Sequence, residues 1–122
     1  MLFGDRQSKG RTAEDHALSH LKIAGLRLIA RNWLARTGEL DLVMLDGDTV
    51  VFVEVRYRSH SAWGGAAASI DRRKQHKLIN TAECFLQQEK RWSKSPCRFD
   101  VIAIGPIAEH PAIEWIKNAF DS

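Results

Sequence analysis

The sequence is poor in cysteine and has no long hydrophobic run. Cys84 and Cys97 are its two cysteines, and neither belongs to a CxxC motif or has a histidine at zinc-finger spacing. This excludes a disulfide-rich scaffold and predicts reduced thiols in a cytosolic protein. Apolar runs such as Val50–Val53 are far shorter than the roughly 20 residues that span a bilayer. Because the polar N-terminus also lacks a signal-peptide core, we expect a cytoplasmic protein without secretion or membrane insertion.

What remains is the composition of one ordinary globular domain. The chain has 122 residues, of which 44% are hydrophobic and 27% are charged. This length fits a single domain over residues 1–122, with residues 1–11 as a loose N-terminal lead-in. The formal net charge of +3 permits an acidic partner such as nucleic acid but does not demonstrate one.

The hydrophobic pattern predicts seven elements in the order α-β-β-β-α-β-β. Thr12–Asp15 has the spacing of a capping box, and the helix that it opens ends at Gly25. A second helix, capped by Ser69, runs to about residue 90. The predicted strands are 26–33, 39–45, 49–58, 99–104 and 112–117. A hairpin followed by a helical crossover implies an α/β fold with a mixed β-sheet flanked by helices.

Carboxylates gather on one face of the predicted hairpin. Side chains alternate along a strand, so Glu39 and Asp41 share a face of one strand, and Glu54 and Arg56 share a face of the other. A two-residue turn at Asp46-Gly47 places Asp41 diagonal to Glu54, whereas a four-residue turn places them directly opposite. Both registers put the four polar side chains on the same face.

The face that carries the carboxylates also carries Val43, Leu45, Val50 and Phe52, and the other face of the hairpin is wholly apolar. The sheet is therefore expected to be covered on both sides. That apolar face comprises Leu40, Leu42, Met44, Val51, Val53 and Val55. Clustered carboxylates repel one another and desolvate poorly unless a positive charge lies among them. Arg56 is one candidate for that charge, and a divalent cation is the other. A purely structural Glu54–Arg56 ion pair is the alternative interpretation.

Two charged residues fall on the apolar stripes of the predicted helices. Glu14 precedes Ala17 by three positions, and Lys74 lies midway between Ile70 and Leu78. Glu14 can instead favour the positive end of its helix, and Lys74 can extend its ammonium to solvent. Together with the hairpin cluster, however, both favour a functional site.

Asp41 followed by Glu54-Val55-Arg56 across a hairpin resembles the motif of the PD-(D/E)xK nuclease superfamily. More closely, the chain resembles the YraN-like family of small bacterial proteins, related in fold to archaeal Holliday-junction resolvases. The matching stretches are Gly10–Glu14, Arg31–Trp33, Gly38–Asp41, Phe52–Arg56 and Arg98–Val101. The resemblance implies a restriction-endonuclease-like core.

The resemblance also implies a metal site. Asp41 and Glu54 would bind Mg²⁺ (or Mn²⁺) with the backbone carbonyl of Val55, and Glu14 would assist. Mg²⁺ prefers a few hard oxygen ligands and can polarise a phosphodiester. The superfamily pattern has Lys where this chain has Arg56, and Arg is a poor general base because it stays charged. Lys74 is a candidate for the missing ammonium. The candidate catalytic residues are Glu14, Asp41, Glu54, Arg56 and Lys74.

Basic residues around the second helix favour a nucleic-acid partner, most readily DNA. Arg72, Arg73 and Lys77 cluster at its start, Arg58 follows the hairpin, and Trp63 lies in the intervening Gly-rich loop. Such groups suit a phosphate backbone and an unstacked base, although a solvated helix face explains them too. Two functions stay open: a Mg²⁺-dependent nuclease acting on branched or structured DNA, and a non-catalytic nucleic-acid-binding or scaffold protein. Whether the chain forms a homodimer also stays open.

Overall fold

Five strands form one sheet whose spatial order follows the order of the chain. The computed structural model describes residues 2–57, 70–105 and 112–121, with side chains from residue 11 onward. The elements are α1 (Leu2–Ile23), β1 (Arg27–Ala35), β2 (Gly38–Asp46), β3 (Thr49–Tyr57), α2 (Arg72–Gln88), a 3₁₀ helix (Lys90–Trp92), β4 (Cys97–Ile104) and β5 (Ile113–Phe120). The predicted α-β-β-β-α-β-β order is confirmed, in a mixed α/β architecture consistent with a nuclease-like fold.

The sheet is mixed because one connection crosses over through a helix. Strands β1, β2 and β3 form an antiparallel meander, and β5 is antiparallel to β4. Strands β3 and β4 are parallel, and α2 lies between them in the chain. A parallel pair needs such a long crossover, so the topology places the start of α2 near the end of β3.

Each face of the sheet is covered by one helix. On one face, Val43 and Phe52 pack against Leu78 and Phe85 of α2. On the other face, strand residues pack against α1; this cluster includes Ala13, Ala17, Leu21, Leu42, Met44 and Val51. Because side chains alternate along the strands, the sheet has an apolar core on each face, as the hairpin pattern predicted.

Helix α1 begins earlier than the sequence indicated. It starts at Leu2, so the predicted loose lead-in over residues 1–11 is wrong, and Thr12–Asp15 lies inside the helix and does not cap it. The physical reason is that Gly4 and Gly10 each cost only about 1 kcal/mol relative to Ala and do not end a helix. Helix α2 is capped by Asp71, whose carboxylate accepts a hydrogen bond from the Lys74 backbone N–H at 2.8 Å.

Three residues with predicted roles lie in parts of the chain that the structure does not describe. Ser69, Arg58 and Trp63 lie outside the described residues. Within the described residues, no helix is long and apolar enough to cross a membrane. Cys84 and Cys97 are both free thiols.

The hairpin between β2 and β3 fixes the register of the candidate carboxylates. Asp46 pairs with Thr49, so the turn is Gly47-Asp48, one residue later than predicted. Gly47 has a φ of 63°, which glycine adopts without the steric penalty of a side chain. The register runs back to the pair Leu42 and Val53, and its continuation places Asp41 opposite Glu54. This is the second of the two predicted registers, but a two-residue turn closes it and not the four-residue turn considered from the sequence.

Candidate active site

Strand β2 separates from β3 at Asp41. The last backbone-paired position is Leu42 with Val53. Beyond it, the backbone N–H of Val55 donates a hydrogen bond to Oδ2 of Asp41 at 2.9 Å. A buried backbone N–H requires an acceptor, so the Asp41 carboxylate supplies the acceptor that a regular neighbouring strand would offer. Asp41 is therefore held in place by the strand that carries Glu54.

The alternation of β2 also changes at Asp41. Leu42 belongs to the cluster against α1, whereas Leu40, two residues earlier, belongs to the cluster against α2. The prediction that Leu40 and Leu42 share a face is wrong, because the strand is irregular between them. The irregularity moves the segment before Asp41 away from a regular ladder with β3.

Strand β1 is irregular at the matching position. Arg31 pairs with Leu42 and Trp33 pairs with Leu40, so Asn32 lies opposite Asp41. Asn32 has a φ of 51°, in the left-handed region that few residues other than glycine adopt. Both β1 and β2, the two strands on this side of β3, therefore depart from regular geometry at the candidate site.

Glu54 is buried and lies between two cations. Its carboxylate is 7% exposed, and Oε2 lies 3.5 Å from Nη1 of Arg56 and 3.5 Å from Nζ of Lys74. Arg56 comes from the same strand, and Lys74 comes from the first turn of α2. The structure thus brings together Glu54 and the ammonium that the sequence offered as a substitute for the missing motif lysine.

The charge of Asp41 is poorly compensated. Burial raises the pKa of Asp41 to about 8, and the nearby charge of Glu54 adds to this. Glu14 and Glu39 raise the pKa less, while the hydrogen bond from Val55 lowers it. Among the described residues, Asp41 forms no ion pair. A crowded carboxylate without a cation is a favourable position for a metal ion.

Glu14 reaches the same region from α1, where two residues of β1 bind it. Nε of Arg31 donates to Oε1 at 3.2 Å, and Nδ2 of Asn32 donates to Oε2 at 3.1 Å. Nη2 of Arg31 also donates to Asp15 at 2.7 Å. Arg31 and Asn32 had no predicted role; the signal for one was a charged residue and an amide inside a predicted strand.

The comparisons with known proteins assign the chain to a family. The family model described as Uncharacterised protein family UPF0102 matches residues 13–104. The chain belongs to the UPF0102 family. The matched range contains Glu14, Asp41, Glu54 and Lys74, and the predicted resemblance to the YraN-like family is confirmed.

Full-length relatives support the same assignment. A UPF0102 protein of Pseudomonas fluorescens is 63% identical over 123 residues, covering 100% of both chains. One of Stutzerimonas stutzeri is 63% identical over 120 residues, covering 98% of this chain and 100% of the relative. One of Pseudomonas aeruginosa is 58% identical over 123 residues, covering 97% and 98% of the two chains. The similarity therefore extends beyond the site to the whole UPF0102 domain.

The donor set of the UPF0102 site fits a small, hard cation with few protein ligands. Asp41 and Glu54 offer carboxylate oxygens across the hairpin, and Val55 adds a backbone carbonyl in the same segment. Mg²⁺ is commonly held by one or two carboxylates and keeps several waters. In the described part of the chain, no three His, Cys, Asp or Glu side chains form a group able to hold a metal by themselves. The set thus fits Mg²⁺ or Mn²⁺ better than a closed, zinc-like cage.

The predicted phosphate contacts lie on the helix that carries Lys74. Arg72, Arg73 and Lys77 are exposed on the first two turns of α2. Lys74, on the same turns, faces the sheet and pairs with Glu54. The start of α2 therefore presents one cation to the site and three to solvent.

Proposed function

We propose that this UPF0102 protein is a cytoplasmic, Mg²⁺-dependent nuclease that hydrolyses phosphodiester bonds in structured or branched DNA. The observation that carries the proposal is the proximity of two carboxylates, because Asp41 accepts a hydrogen bond at 2.9 Å from the backbone N–H of Val55, the residue that follows Glu54. Glu54 has two cationic neighbours, whereas Asp41 has a raised pKa and no ion pair among the described residues. Within the ranges that the structure describes, the positive charge beside this pair therefore lies on the side of Glu54.

In this proposal the chain holds the ion through Asp41, Glu54 and the carbonyl of Val55, with Glu14 assisting. When bound, Mg²⁺ would polarise the phosphodiester and lower the pKa of an attacking water. The hydrogen bond from Val55 fixes the rotation of the Asp41 carboxylate. Burial of Glu54 between strand and helix limits its movement. Both ligands are therefore oriented before the ion binds, which reduces the cost of assembling the site.

Two side chains are placed to stabilise the negative charge that develops on the transferring phosphate. Lys74 and Arg56 both approach the same oxygen of Glu54 at 3.5 Å, one from α2 and one from β3. Fixed cations at the reacting centre stabilise such charge without reorganisation during the step. A guanidinium is a poor general base, so in this proposal Lys74 takes over the role of the motif lysine from outside the motif.

A non-catalytic nucleic-acid-binding protein is the second candidate. The observation that favours it is Arg56 at the position where the superfamily pattern has lysine. A guanidinium grips carboxylate or phosphate but does not act as a base. A domain that kept its carboxylates and lost turnover would bind DNA through α2 without cleaving it.

One titration separates these functions. Wild-type protein is titrated with Mg²⁺ or Mn²⁺ in the presence of four-way, forked, single-stranded and duplex DNA, and binding and cleavage are read on the same samples. Metal-dependent cleavage of the branched substrates is the expected result. Binding without cleavage in Mn²⁺ would support the non-catalytic candidate. Absence of both binding and a metal-induced thermal shift would overturn the two candidates together.

Replacing Arg56 with Lys tests how far the guanidinium limits turnover. Arg56→Lys places a compact ammonium beside Glu54 and is expected to raise Mg²⁺-dependent cleavage by at least about tenfold, in the range of a proton-transfer group. Arg27→Lys, an exposed residue at the opposite end of the sheet, is the matched control and should leave cleavage unchanged. If neither wild type nor Arg56→Lys cuts, the domain is a binding module.

Neutralising the start of α2 tests the phosphate contacts. Replacing Arg72, Arg73 and Lys77 with Ala should weaken DNA binding and flatten its salt dependence by up to about three units of slope. The control replaces Lys90, Arg91 and Lys94 with Ala. These residues are exposed beyond the other end of α2, and their replacement removes the same amount of positive charge. Equal losses in the two triple variants would show that only the net charge matters.

A further inference from the structure

Two consecutive residues of β1 bind the same carboxylate of α1. Arg31 donates to Oε1 of Glu14 and Asn32 donates to Oε2. In a regular strand, consecutive side chains point to opposite faces of the sheet, so two neighbours do not reach one carboxylate. The left-handed backbone of Asn32, with a φ of 51°, accounts for the exception.

The position of this irregularity coincides with the candidate active site. Asn32 lies opposite Asp41, at the point where β2 separates from β3. Non-glycine residues in left-handed backbone cost free energy and cluster where function requires an unusual geometry. Here the backbone conformation has a visible result, because the Asn32 amide donates a hydrogen bond to Glu14 of α1.

Arg31 supplies the charge that the third carboxylate needs. Glu14 is bound by Asn32, which lies opposite Asp41 in the register of β1 and β2, so an uncompensated Glu14 would be repelled by the carboxylates of the site. The guanidinium of Arg31 lies against Glu14 at 3.2 Å and against Asp15 at 2.7 Å. Both oxygens of Glu14 keep a second lone pair beyond these hydrogen bonds.

We propose that Arg31 and Asn32 are positioning residues that hold the Glu14 carboxylate on the Asp41 side of the candidate site so that it supports the bound metal ion. The inference rests on the proposed function and deepens it. Groups that hydrogen-bond a metal-supporting carboxylate fix its orientation, and their loss typically costs 10–100-fold in metal affinity or activity, as an order of magnitude. If Arg31 and Asn32 had only a structural role, they would attach α1 to β1, and replacing them would change the stability of the fold without changing metal affinity.

The test is Asn32→Gly, because glycine accepts a positive φ and the change removes only the amide. Asn118→Gly is the matched control: Asn118 has a φ of 52° in β5 and uses its backbone N–H in its hydrogen bond to Asp100. Mn²⁺ affinity is measured by calorimetry, and thermal stability is measured in metal-free buffer. We expect Asn32→Gly to lose about tenfold or more in Mn²⁺ affinity and Asn118→Gly to bind as wild type.

A double-mutant cycle shows whether the effect passes through Glu14. In a Glu14→Gln background, Asn32→Gly should cause little further loss of Mn²⁺ affinity, and Arg31→Gln should behave in the same way. An Asn32→Gly protein that melts lower but binds Mn²⁺ as wild type would overturn the inference and leave the proposed function standing. Equal losses with and without Glu14 would overturn it too. A wild type that binds no Mn²⁺ would instead remove the proposed function, and the inference with it.

Discussion

Replacing Asp41 with Asn is expected to stabilise the metal-free protein and to abolish its stabilisation by Mg²⁺ or Mn²⁺. The partly buried carboxylate of Asp41 feels the negative charges of Glu54, Glu14 and Glu39, so removing its charge relieves repulsion. The amide oxygen of Asn still accepts the hydrogen bond from Val55, so the local structure is kept. An ion that binds only the folded protein raises its stability by mass action, and this increase should disappear with the ligand.

The stabilisation by Asp41→Asn should depend on pH in a defined direction. The pKa of Asp41 is raised from 3.8 to about 8 in the folded protein. The folded state therefore keeps a proton that the unfolded state releases, and metal-free stability falls as pH rises between these values. Each pKa unit corresponds to about 1.4 kcal/mol, so we expect Asn to add at least about that much at pH 8 and much less near pH 4.

Urea unfolding in EDTA at both pH values measures this difference, and thermal shifts with millimolar Mn²⁺ measure the loss of metal binding. The control is Asp48→Asn, the same chemical change at an exposed residue of the hairpin turn. A wild type without any metal-induced shift, or an Asp41→Asn protein stabilised by Mn²⁺ as strongly as wild type, would contradict the role of Asp41.

The pairing of Asp41 with Glu54 was predictable because strand alternation and an even-length turn allow few arrangements. Sequence pattern alone left two registers open, and the structure selects the one closed by Gly47-Asp48. The position of the turn depends on which residue adopts a positive φ, and Gly47 does so with φ 63°. Moving the turn by one residue along the chain therefore changes the register position of Asp41 relative to Glu54 from diagonal to directly opposite.

Features that depend on departures from regular geometry were not predictable. The change of face between Leu40 and Leu42 and the left-handed Asn32 both break the period of two from which strand faces are inferred. The sequence pattern does not determine the approach of Lys74 to Glu54, because that approach depends on how α2 packs on the sheet. The resemblance identified Glu14, but its partners on β1 came from the structure.

A second charged cluster, for which the sequence predicted no role, is centred on Asp100, which pairs with Val53 of β3. Asp100 of β4 is 1% exposed, although the strand around it is apolar. Its carboxylate accepts hydrogen bonds from Nε of Arg98 at 3.0 and 3.2 Å, from the Trp115 indole at 3.0 Å and from the Asn118 backbone N–H at 2.9 Å. These bonds attach β5 to β4 where the register between the two strands shifts.

Asp100→Asn should therefore be the most destabilising of the Asp-to-Asn changes considered for this domain. An amide in place of the carboxylate removes the charge that offsets Arg98 and presents a donor to other donors. Within the described residues, Nη2 of Arg98 is already buried without a hydrogen-bond partner. Removing one partner of a buried ion pair typically costs about 3–5 kcal/mol, because the remaining charge is left desolvated.

The matched control for Asp100→Asn is Asp46→Asn. Asp46 binds the same guanidinium, through Nη1 of Arg98 at 3.0 Å, but its side chain is 41% exposed. Water can replace much of its interaction, so we expect Asp46→Asn to cost at most about 1 kcal/mol. Urea unfolding of both variants at neutral pH measures the difference. If Asp100→Asn costs no more than Asp46→Asn, the buried cluster does not hold β5 on the sheet, and attachment of that strand must then depend on apolar contacts such as the stacked rings of Phe99 and Phe120.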